Sequence, residues 1–372
     1  TGEVTFTRVN QVGGGFRSMA LVGDLIFAGQ GPRLVVLDIS NPAVPRKISE
    51  SDVLPGLVDN VIVRNGTAYI TAGKLFMQLD VSDPVRMLHQ GQTELPSPGR
   101  ILLRDNIVYA GGQTAQFRDP DGTTYESYIA TVDVSGEPKL VGEIVVPYDV
   151  ATLALAGNQL FIGHDQGISR LDVSDLSRLS NPVPGPRVNE ADILRVYGST
   201  LLVGGYSEII AYDVADPQAP EHMWTEERAE LGVVRDFAVL NDRIYTVGWQ
   251  PAAAFTPTSV AVQMADPLPE PDYYSAAGSV GIIAVAERLY RIDQRTLSIE
   301  DISSGEPALL GSYTALSGGD MAIDENVLFV ANRTRHLLSG LDQDYVDTYH
   351  VPDLSPLDQF ALPPVGEQGT EG

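Results

Sequence analysis

The stretch Leu34–Pro42, LVVLDISNP, decides the fold because variants of it return along the whole chain. Each variant is an alternating, β-branched run that ends in turn-forming residues, as a strand does before a tight corner. The further copies are FMQLDVSDP (Phe76–Pro84), YIATVDVSGEP (Tyr128–Pro138), ISRLDVSD (Ile168–Asp175), EIIAYDVADP (Glu208–Pro217), SVAVQMADP (Ser259–Pro267), LSIEDISSGEP (Leu297–Pro307) and VDTYHVPD (Val346–Asp353). The sequence is therefore built on one repeated strand-and-turn unit.

The spacing of the copies indicates the architecture. The aspartate of the repeat is occupied in turn by Asp38, Asp80, Asp133, Asp172, Asp213, Gln263, Asp301 and His350. The successive spacings are 42, 53, 39, 41, 50, 38 and 49 residues, and a period near forty is typical of propeller blades. A separate series of inner strands, each followed by a two-residue turn such as Asn65-Gly66, gives the same count. We predict an all-β, eight-bladed β-propeller of four-stranded antiparallel blades.

The repeat resembles that of the LVIVD-repeat family, which are β-propeller proteins of bacterial and archaeal surfaces. The family pattern is roughly hydrophobic-hydrophobic-Asp-Val-Ser-Asp-Pro, and Gln263 and His350 depart from it in the sixth and eighth copies. The resemblance covers nearly the whole chain and implies a propeller with an extracellular recognition or scaffold role. It implies no shared chemistry, so the ligand and partner are not specified by it.

Length predicts one domain, and the family resemblance implies a location outside the cytoplasm. The 372 residues fit a single propeller over residues 1–363, with 364–372 as a solvated tail or linker stump. No apolar run reaches the roughly 18 residues of a membrane span. The absence of cysteine excludes disulfides, thiolate metal sites and cysteine nucleophiles. Together with the family resemblance, these features favour an extracellular, cell-surface or periplasmic location.

The charge of the chain excludes some partners. A net charge of −25 argues against nucleic acid and anionic membrane surfaces, both of which attract basic proteins. Two explanations of this charge are open. It keeps the protein soluble through self-repulsion, or it forms a surface that binds Ca²⁺ or a basic partner.

Three connections are longer than the others, and all three lie between the second and third strands of their units. They are Gly112–Ser127, Trp249–Thr258 and Asn332–Asp347. In a propeller such connections lie on one face, and insertions collected on one face of a repeat protein usually mark its binding face. Exposed aromatic side chains supply much of the binding energy at interfaces. The predicted partner-binding residues are therefore the aromatic residues of these connections, Phe117, Tyr125, Trp249, Phe255 and Tyr345.

The residue that opens each inner strand is predicted to face the channel mouth on the same side. These residues are Ser18, Asn60, Arg100, Thr152, Asp192, Asp236, Gly281 and Asp320. The carboxylates of Asp192, Asp236 and Asp320 are hard oxygen ligands and could hold Ca²⁺ or Mg²⁺. Alternatively each aspartate caps its own loop by accepting hydrogen bonds from backbone amides. Arg100 argues against the metal, because a fixed cation in the ring repels another.

No local catalytic motif is present in the sequence. The five histidines occur singly, and there is neither a Gly-x-Ser-x-Gly elbow nor a phosphate-binding Gly-x-x-x-x-Gly-Lys. We predict a non-enzymatic recognition or assembly scaffold that binds a protein or glycan through the long-loop face. The alternative is a divalent-cation-dependent hydrolase or lyase with its site at the channel mouth.

One strand is surplus to the eight predicted units. Residues 3–10, EVTFTRVN, alternate like an outer strand. This segment could close the ring by pairing beside residues 348–351 of the last blade. It could instead complete the edge of a neighbouring molecule, which would make the protein self-assemble.

Overall fold

The computed structural model describes residues 15–361, except 97–98, 120–121, 189–190, 228–231, 241–242, 251–255, 265–267, 270–273, 278–279, 293–295, 305–306, 315–320, 325–326, 336–341 and 351–354. Residues 3–10, Phe255, Asp320 and the predicted tail lie outside the described residues. For the tips of the long connections and for residues 321–361, the structure describes the backbone only.

The chain forms 32 strands in this part of the sequence. The first sixteen are β1 (Phe16–Val22), β2 (Leu25–Gln30), β3 (Arg33–Asp38), β4 (Arg46–Glu50), β5 (Val58–Arg64), β6 (Thr67–Ala72), β7 (Leu75–Asp80), β8 (Leu88–Glu94), β9 (Arg100–Arg104), β10 (Ile107–Asp119), β11 (Gly122–Asp133), β12 (Lys139–Val146), β13 (Thr152–Ala156), β14 (Gln159–His164), β15 (Gly167–Asp172) and β16 (Val183–Pro184). The others are β17 (Ile193–Tyr197), β18 (Thr200–Gly204), β19 (Glu208–Asp213), β20 (Glu221–Glu227), β21 (Val233–Leu240), β22 (Arg243–Gln250), β23 (Thr256–Gln263), β24 (Tyr274–Ala277), β25 (Gly281–Val285), β26 (Arg288–Ile292), β27 (Thr296–Asp301), β28 (Ala308–Thr314), β29 (Met321–Asp324), β30 (Val327–Arg335), β31 (Asp342–His350) and β32 (Ser355–Ala361). None of the described residues forms a helix able to span a bilayer.

The strands form an all-β propeller of antiparallel blades, as predicted. Six sheets have four strands: β5–β8, β9–β12, β13–β16, β17–β20, β25–β28 and β29–β32. The first sheet has five strands in the order β24-β1-β2-β3-β4, and the sheet β21-β22-β23 has three. The prediction of eight four-stranded blades is therefore wrong in its count, since six sheets have this form.

The exchange of β24 causes the departure from the predicted count. Its sequence position makes it the outer strand of the sheet β21–β23, but it pairs instead with the inner edge of β1, with Ala276 opposite Met19. In this position β24 also packs closely against the start of β25, where a Cβ built on Gly281 would lie 2.7 Å from the Cβ of Ala276. The first sheet thus contains strands from distant parts of the chain.

The strand of the repeat is apolar on both faces because each sheet is covered on both sides. In β3, Val35 and Leu37 pack in the cluster shared with β25–β28, whereas Leu34 and Val36 pack in the cluster shared with the second sheet. Alternate residues of a strand point to opposite faces, so a continuous apolar run is expected here.

Where the structure describes side chains, apolar clusters of this kind link seven sheets, those from β1–β4 to β25–β28, into a closed circuit. Six clusters join successive sheets from β1–β4 to β25–β28. A further cluster joins β25–β28 back to the first sheet, with Ile283 and Ile299 packed in the same core as Phe16 and Met19. Fully burying one such side chain contributes about 1.5–3 kcal/mol, so each interface is a substantial part of the stability.

The turns match the sequence predictions closely. Asn65 and Gly66 both have positive φ, at 51° and 75°, as a two-residue hairpin turn requires. The outer strand of the sheet β13–β16 is only two residues long, which agrees with the proline-rich sequence after residue 178.

The repeat aspartate forms the corner after the third strand. In five copies its Oδ1 accepts a hydrogen bond from the backbone N–H of the serine two residues later, at 2.8–2.9 Å. In the copy at Asp213 the donor is the N–H of Ala215, at 2.8 Å. The second acidic position forms a similar turn, for example from Val85 N–H to Asp83 at 3.1 Å. The repeated carboxylates are therefore structural.

These turns predict a specific acid sensitivity. Hydrogen bonds from Ser40 lower the pKa of Asp38 from 3.8 to about 2, and equivalent serines lower the pKa of Asp80, Asp133, Asp172 and Asp301. A carboxylate whose folded-state pKa is depressed stabilises the fold above the unfolded-state pKa, and this contribution is lost as the pH falls. We expect the melting temperature to decrease from about pH 4 towards pH 2.

Replacing these aspartates with asparagine tests the assignment. Asparagine keeps an acceptor oxygen for the turn but does not titrate, so the variant should melt with a shallower dependence on pH over this range. The matching alanine variant should lose stability at every pH. An asparagine variant with the same steep pH profile as the wild type would contradict the prediction.

Candidate functional site

The three long connections project from the end of the sheets where the inner strands begin. Arg100, the first residue of β9, is paired with Gly111, and the hairpin of β10 and β11 continues beyond this pair to Asp119 and Gly122. The hairpins β22–β23 and β30–β31 likewise extend past the start of β21 and β29. The long connections are therefore extended β-hairpins at the end of each sheet where its inner strand begins, which for β10–β11 and β22–β23 is the face of the channel mouth.

Four of the five predicted partner-binding aromatics lie on the described parts of these hairpins. Phe117 is opposite Thr124 and Tyr125 is opposite Gln116, close to the tip of β10–β11. Trp249 is near the tip of β22–β23, and Tyr345 is opposite Asn332 in β30–β31. Their role in binding a partner stays a prediction.

Bulges at the start of three inner strands bring additional charges to the mouth. The strand register shifts between Phe16 and Ser18, between Val58 and Asn60 and between Val234 and Asp236. The extra residues are Arg17, Asp59 and Arg235, and a bulge redirects the side chain of its extra residue. These three side chains are 47%, 28% and 48% exposed. Sequence reasoning missed them because it considered only one position per strand.

The bulge residues form ion pairs between neighbouring sheets. The Arg17 guanidinium binds Asp59 of the second sheet. The Arg235 guanidinium binds Asp192 of the preceding sheet, with 3.1 Å between Nη1 and Oδ1. The charged residues of the mouth therefore connect sheets rather than face solvent alone.

The predicted ring residues also connect each inner strand to the next sheet. The Asn60 amide donates to the Gly99 carbonyl at 2.5 Å, and the Arg100 Nε donates to the Ala151 carbonyl at 3.2 Å. The Thr152 hydroxyl accepts from the Leu194 N–H at 3.2 Å. Such bonds satisfy backbone groups at the strand starts and hold adjacent sheets in register.

Asp236 is the most enclosed member of the ring, with 1% of its side chain exposed. Its Oδ1 accepts from Phe237 N–H at 2.9 Å and from the Arg195 guanidinium at 2.7 Å. Its Oδ2 accepts from Ile282 N–H, at 3.1 Å, in the following sheet. Both carboxylate oxygens are thus hydrogen-bonded within the protein.

Asp236 accepts hydrogen bonds from two backbone amides, as the capping alternative requires, whereas the contact described for Asp192 is an ion pair with Arg235. Where the structure describes side chains, no three histidine, aspartate or glutamate residues lie close enough together to hold a metal ion. Asp320 is outside that part of the chain, so the three-aspartate Ca²⁺ site stays a prediction.

A second polar cluster lies next to the short turn that joins β14 and β15. His164 is 5% exposed, its ring stacks on Tyr148 at 4.0 Å, and its Nε2 is 3.0 Å from the Ser169 hydroxyl. Its Nδ1 accepts from the Gln166 N–H at 3.2 Å. The proton of the neutral ring is therefore on Nε2, which donates to Ser169 and cannot act as its general base. The cluster is structural.

Replacing Asp236 with asparagine should destabilise the protein by about 2–4 kcal/mol, because the amide cannot accept all the bonds of a buried carboxylate. Asp59→Asn, which affects a pair exposed to solvent, should cost about 0–1 kcal/mol. Urea denaturation measures both values. The loss in Asp236→Asn should persist in chelator, and a loss that disappears in chelator would contradict the capping role.

His164 predicts a second pH dependence. Burial lowers its pKa below the ordinary 6.5, so the folded state resists protonation and stability is lost as the pH falls below about 6.5. We expect the melting temperature to decrease from pH 7 to pH 5, and His164→Gln to reduce that decrease. An unchanged decrease in the variant would assign it to other groups.

Comparison with known proteins supports the fold. The LVIVD repeat is the family pattern that matches, over residues 13–51. Among curated proteins, no sequence matches the chain.

Several solved structures are similar to the chain at low sequence identity. The chain is similar to PorZ, an essential bacterial surface component of the type-IX secretion system of Porphyromonas gingivalis, with a TM-score of 0.55 and 13% identity. The match covers 95% of this chain and 46% of that PorZ chain, so the chain spans about half of its length. Saccharomyces cerevisiae Sqt1 has a TM-score of 0.49 and 9% identity, with 95% and 100% of the two chains covered. A functionally unknown protein from Desulfotomaculum acetoxidans has a TM-score of 0.43 and 10% identity, with 93% and 95% covered.

At these identities the structural likeness concerns the fold alone. It agrees with the repeated strand-and-turn unit, the closed circuit of antiparallel sheets and the matched repeat. The chain is a β-propeller in which residues 13–51 match the LVIVD repeat.

Proposed function

We propose that the protein is a non-enzymatic recognition or assembly module that binds a protein or glycan partner outside the cytoplasm. The observation that carries this proposal is the projection of three extended hairpins from one end of the sheets. A rigid scaffold that presents long loops on one face is a common arrangement for binding. The aromatics Phe117, Tyr125, Trp249 and Tyr345 on these hairpins, with Phe255, are the proposed contact residues.

Two further observations support the location and the class of function. The matched LVIVD repeat and the fold shared with PorZ, a bacterial surface component, favour the cell surface or periplasm. The net charge of −25 favours a partner with a neutral or basic surface.

The contacts at the channel mouth favour recognition over the alternative hydrolase or lyase. A catalytic divalent cation needs carboxylate oxygens that are free to bind it and a position open to substrate. Asp236 is instead bound by Arg195 and two backbone amides, and Asp192 by Arg235.

Trimming the hairpins tests the proposed binding face. The strand register allows Asn-Gly turns to replace residues 113–127, 249–257 and 332–345, because the flanking residues are already paired. The wild type and the trimmed protein would be compared against the partner that co-purifies from the native source. We expect at least a hundredfold loss of affinity, or about 3 kcal/mol.

The melting temperature should change little on trimming, because the blade cores remain. A matched control carries Asp105→Asn, Asn158→Asp and Ser199→Asn in turns of the opposite face and should bind like the wild type. Full binding by the protein with all three hairpins trimmed would refute the proposal.

A further inference from the structure

The sheet β21–β23 has one strand fewer than the six four-stranded sheets. Its last strand, β23, pairs with β22, and within the described residues no strand pairs with its other edge. The strand that follows in the sequence, β24, pairs with β1 instead. The outer edge of β23 therefore presents backbone N–H and C=O groups that a fourth strand would satisfy.

The first sheet indicates which groups of β23 face this edge. There the N–H of Ser51, just beyond β4, donates to the Leu34 carbonyl of the third strand at 2.8 Å. Leu34 lies four residues before the aspartate of its repeat, and Ser259 has the same place in the sixth repeat. Because backbone groups alternate in direction along a strand, those of Ser259 and Ala261 face the open edge. Pro257 agrees with this assignment, since it has no N–H to donate to β22.

Residues 3–10, EVTFTRVN, are the one strand that the sequence predicts in excess. The segment alternates and is rich in valine, threonine and phenylalanine, which are favoured in strands. Beyond Pro257, β23 offers it residues 258–263. This stretch is longer than β4 (Arg46–Glu50), which serves as a fourth strand in the first sheet. One surplus strand and one incomplete sheet thus correspond.

The pairing expected beside residues 348–351 meets an occupied strand. β31 pairs with β30 on one side and with β32 on the other, so that Thr348 is opposite both Phe329 and Asp358. A strand added there would have to displace β32. The edge of β23 requires no such displacement among the described residues.

The length of the connection decides which copy supplies the strand. The fourth-strand position of β21–β23 lies two sheets from β1, across β25–β28, and three strands outward. These steps are about 20 Å and about 14 Å, or about 24 Å combined. The chain is fixed at Gly15, whose carbonyl accepts from the Gly31 N–H at 3.2 Å. Residues 11–14 extend it from there by at most about 18 Å, so the segment falls short of this edge in its own chain.

We propose that residues 3–10 of one copy add to the outer edge of β23 in a second copy, so that the protein self-associates by strand addition. Main-chain hydrogen bonds supply the affinity of such a contact. Reciprocal addition gives a closed dimer and one-way addition gives a chain of molecules, and both use this same contact. The inference does not rest on the partner-binding face proposed above, because residues 258–263 lie in the body of the sheet.

Analytical ultracentrifugation of the full chain tests the self-association. Phe6→Pro and Thr7→Pro each remove a backbone N–H, and since successive groups alternate in direction, one of the two faces the partner in any register. We expect at least one of these variants to weaken self-association at least tenfold. Gly2→Pro is the matched control, because it places the same substitution outside the segment, and it should associate like the wild type.

A labelled peptide of the sequence EVTFTRVN probes the receiving edge. Fluorescence anisotropy should show one peptide bound per chain of the donor variant that no longer associates. Ala261→Pro, which removes an N–H that faces the edge, should weaken the peptide at least tenfold. If Ala261→Pro does not fold, hydrogen exchange decides instead, and the amides of Ser259 and Ala261 should exchange more slowly when the peptide is bound.

The opposite results overturn the proposal. They are a wild type that stays monomeric up to millimolar concentration, unchanged association in both donor variants, and peptide binding that leaves the exchange of residues 258–263 unaltered. A monomer whose melting temperature falls in the donor variants would assign residues 3–10 to an edge of their own chain, which also overturns it.

Discussion

Burial of both faces of each sheet is the constraint on which the rest of the structure depends. A single four-stranded sheet with two apolar faces cannot be stable in water, because each face needs a neighbour. The run LVVL in β3 shows this requirement, since alternate residues enter the clusters on its two sides. Only a closed circuit gives each of its members two neighbours, and the cluster between β25–β28 and β1–β3 closes the circuit of the seven sheets from β1–β4 to β25–β28.

The polar features of the mouth follow from this packing. Sheets stacked around a channel bring the starts of the inner strands together, where their backbone groups and charged side chains must find partners. Asn60, Thr152 and Asp236 meet this need by bonding across sheet boundaries. The same crowding places Arg100 among two other arginines. The hydrogen bonds and ion pairs of the mouth are thus a product of the architecture as well as of the individual residues.

The repeat made much of the fold predictable. Local sequence identifies the strands that end at Asp38 and Asp80, the turn at Asn65-Gly66 and the weak fourth strand near Val183. Short-range rules control all of these elements. The position of β24 could not be predicted in this way. Tyr274–Ala277 could pair with either of two edges, and the choice depends on packing against Met19 and Gly281, which are far away in sequence.

The candidate site was predictable in position but not in chemistry. Counting along the inner strands placed Arg100 and Asp236 at equivalent register positions, but in the fifth sheet that position is occupied by Ile193 and Asp192 precedes it. The bulge residues Arg17, Asp59 and Arg235 were missed, because a bulge inserts a residue that breaks the count. Their guanidinium and carboxylate groups change the mouth from an apparent acidic ring to a network of ion pairs.

The pairing of β24 with β1 has a consequence for how the chain folds. Met19 and Ala276 come together only after most of the polypeptide has been synthesised. Contacts between residues so distant in sequence carry a large loop-closure entropy and slow the folding of β-proteins. The sheets from β5–β8 to β17–β20 can form while the chain is being synthesised. The first sheet is complete only after β24 has been added. Completion of the N-terminal sheet is therefore a late event in folding, and its inner edge stays open to other strands until then.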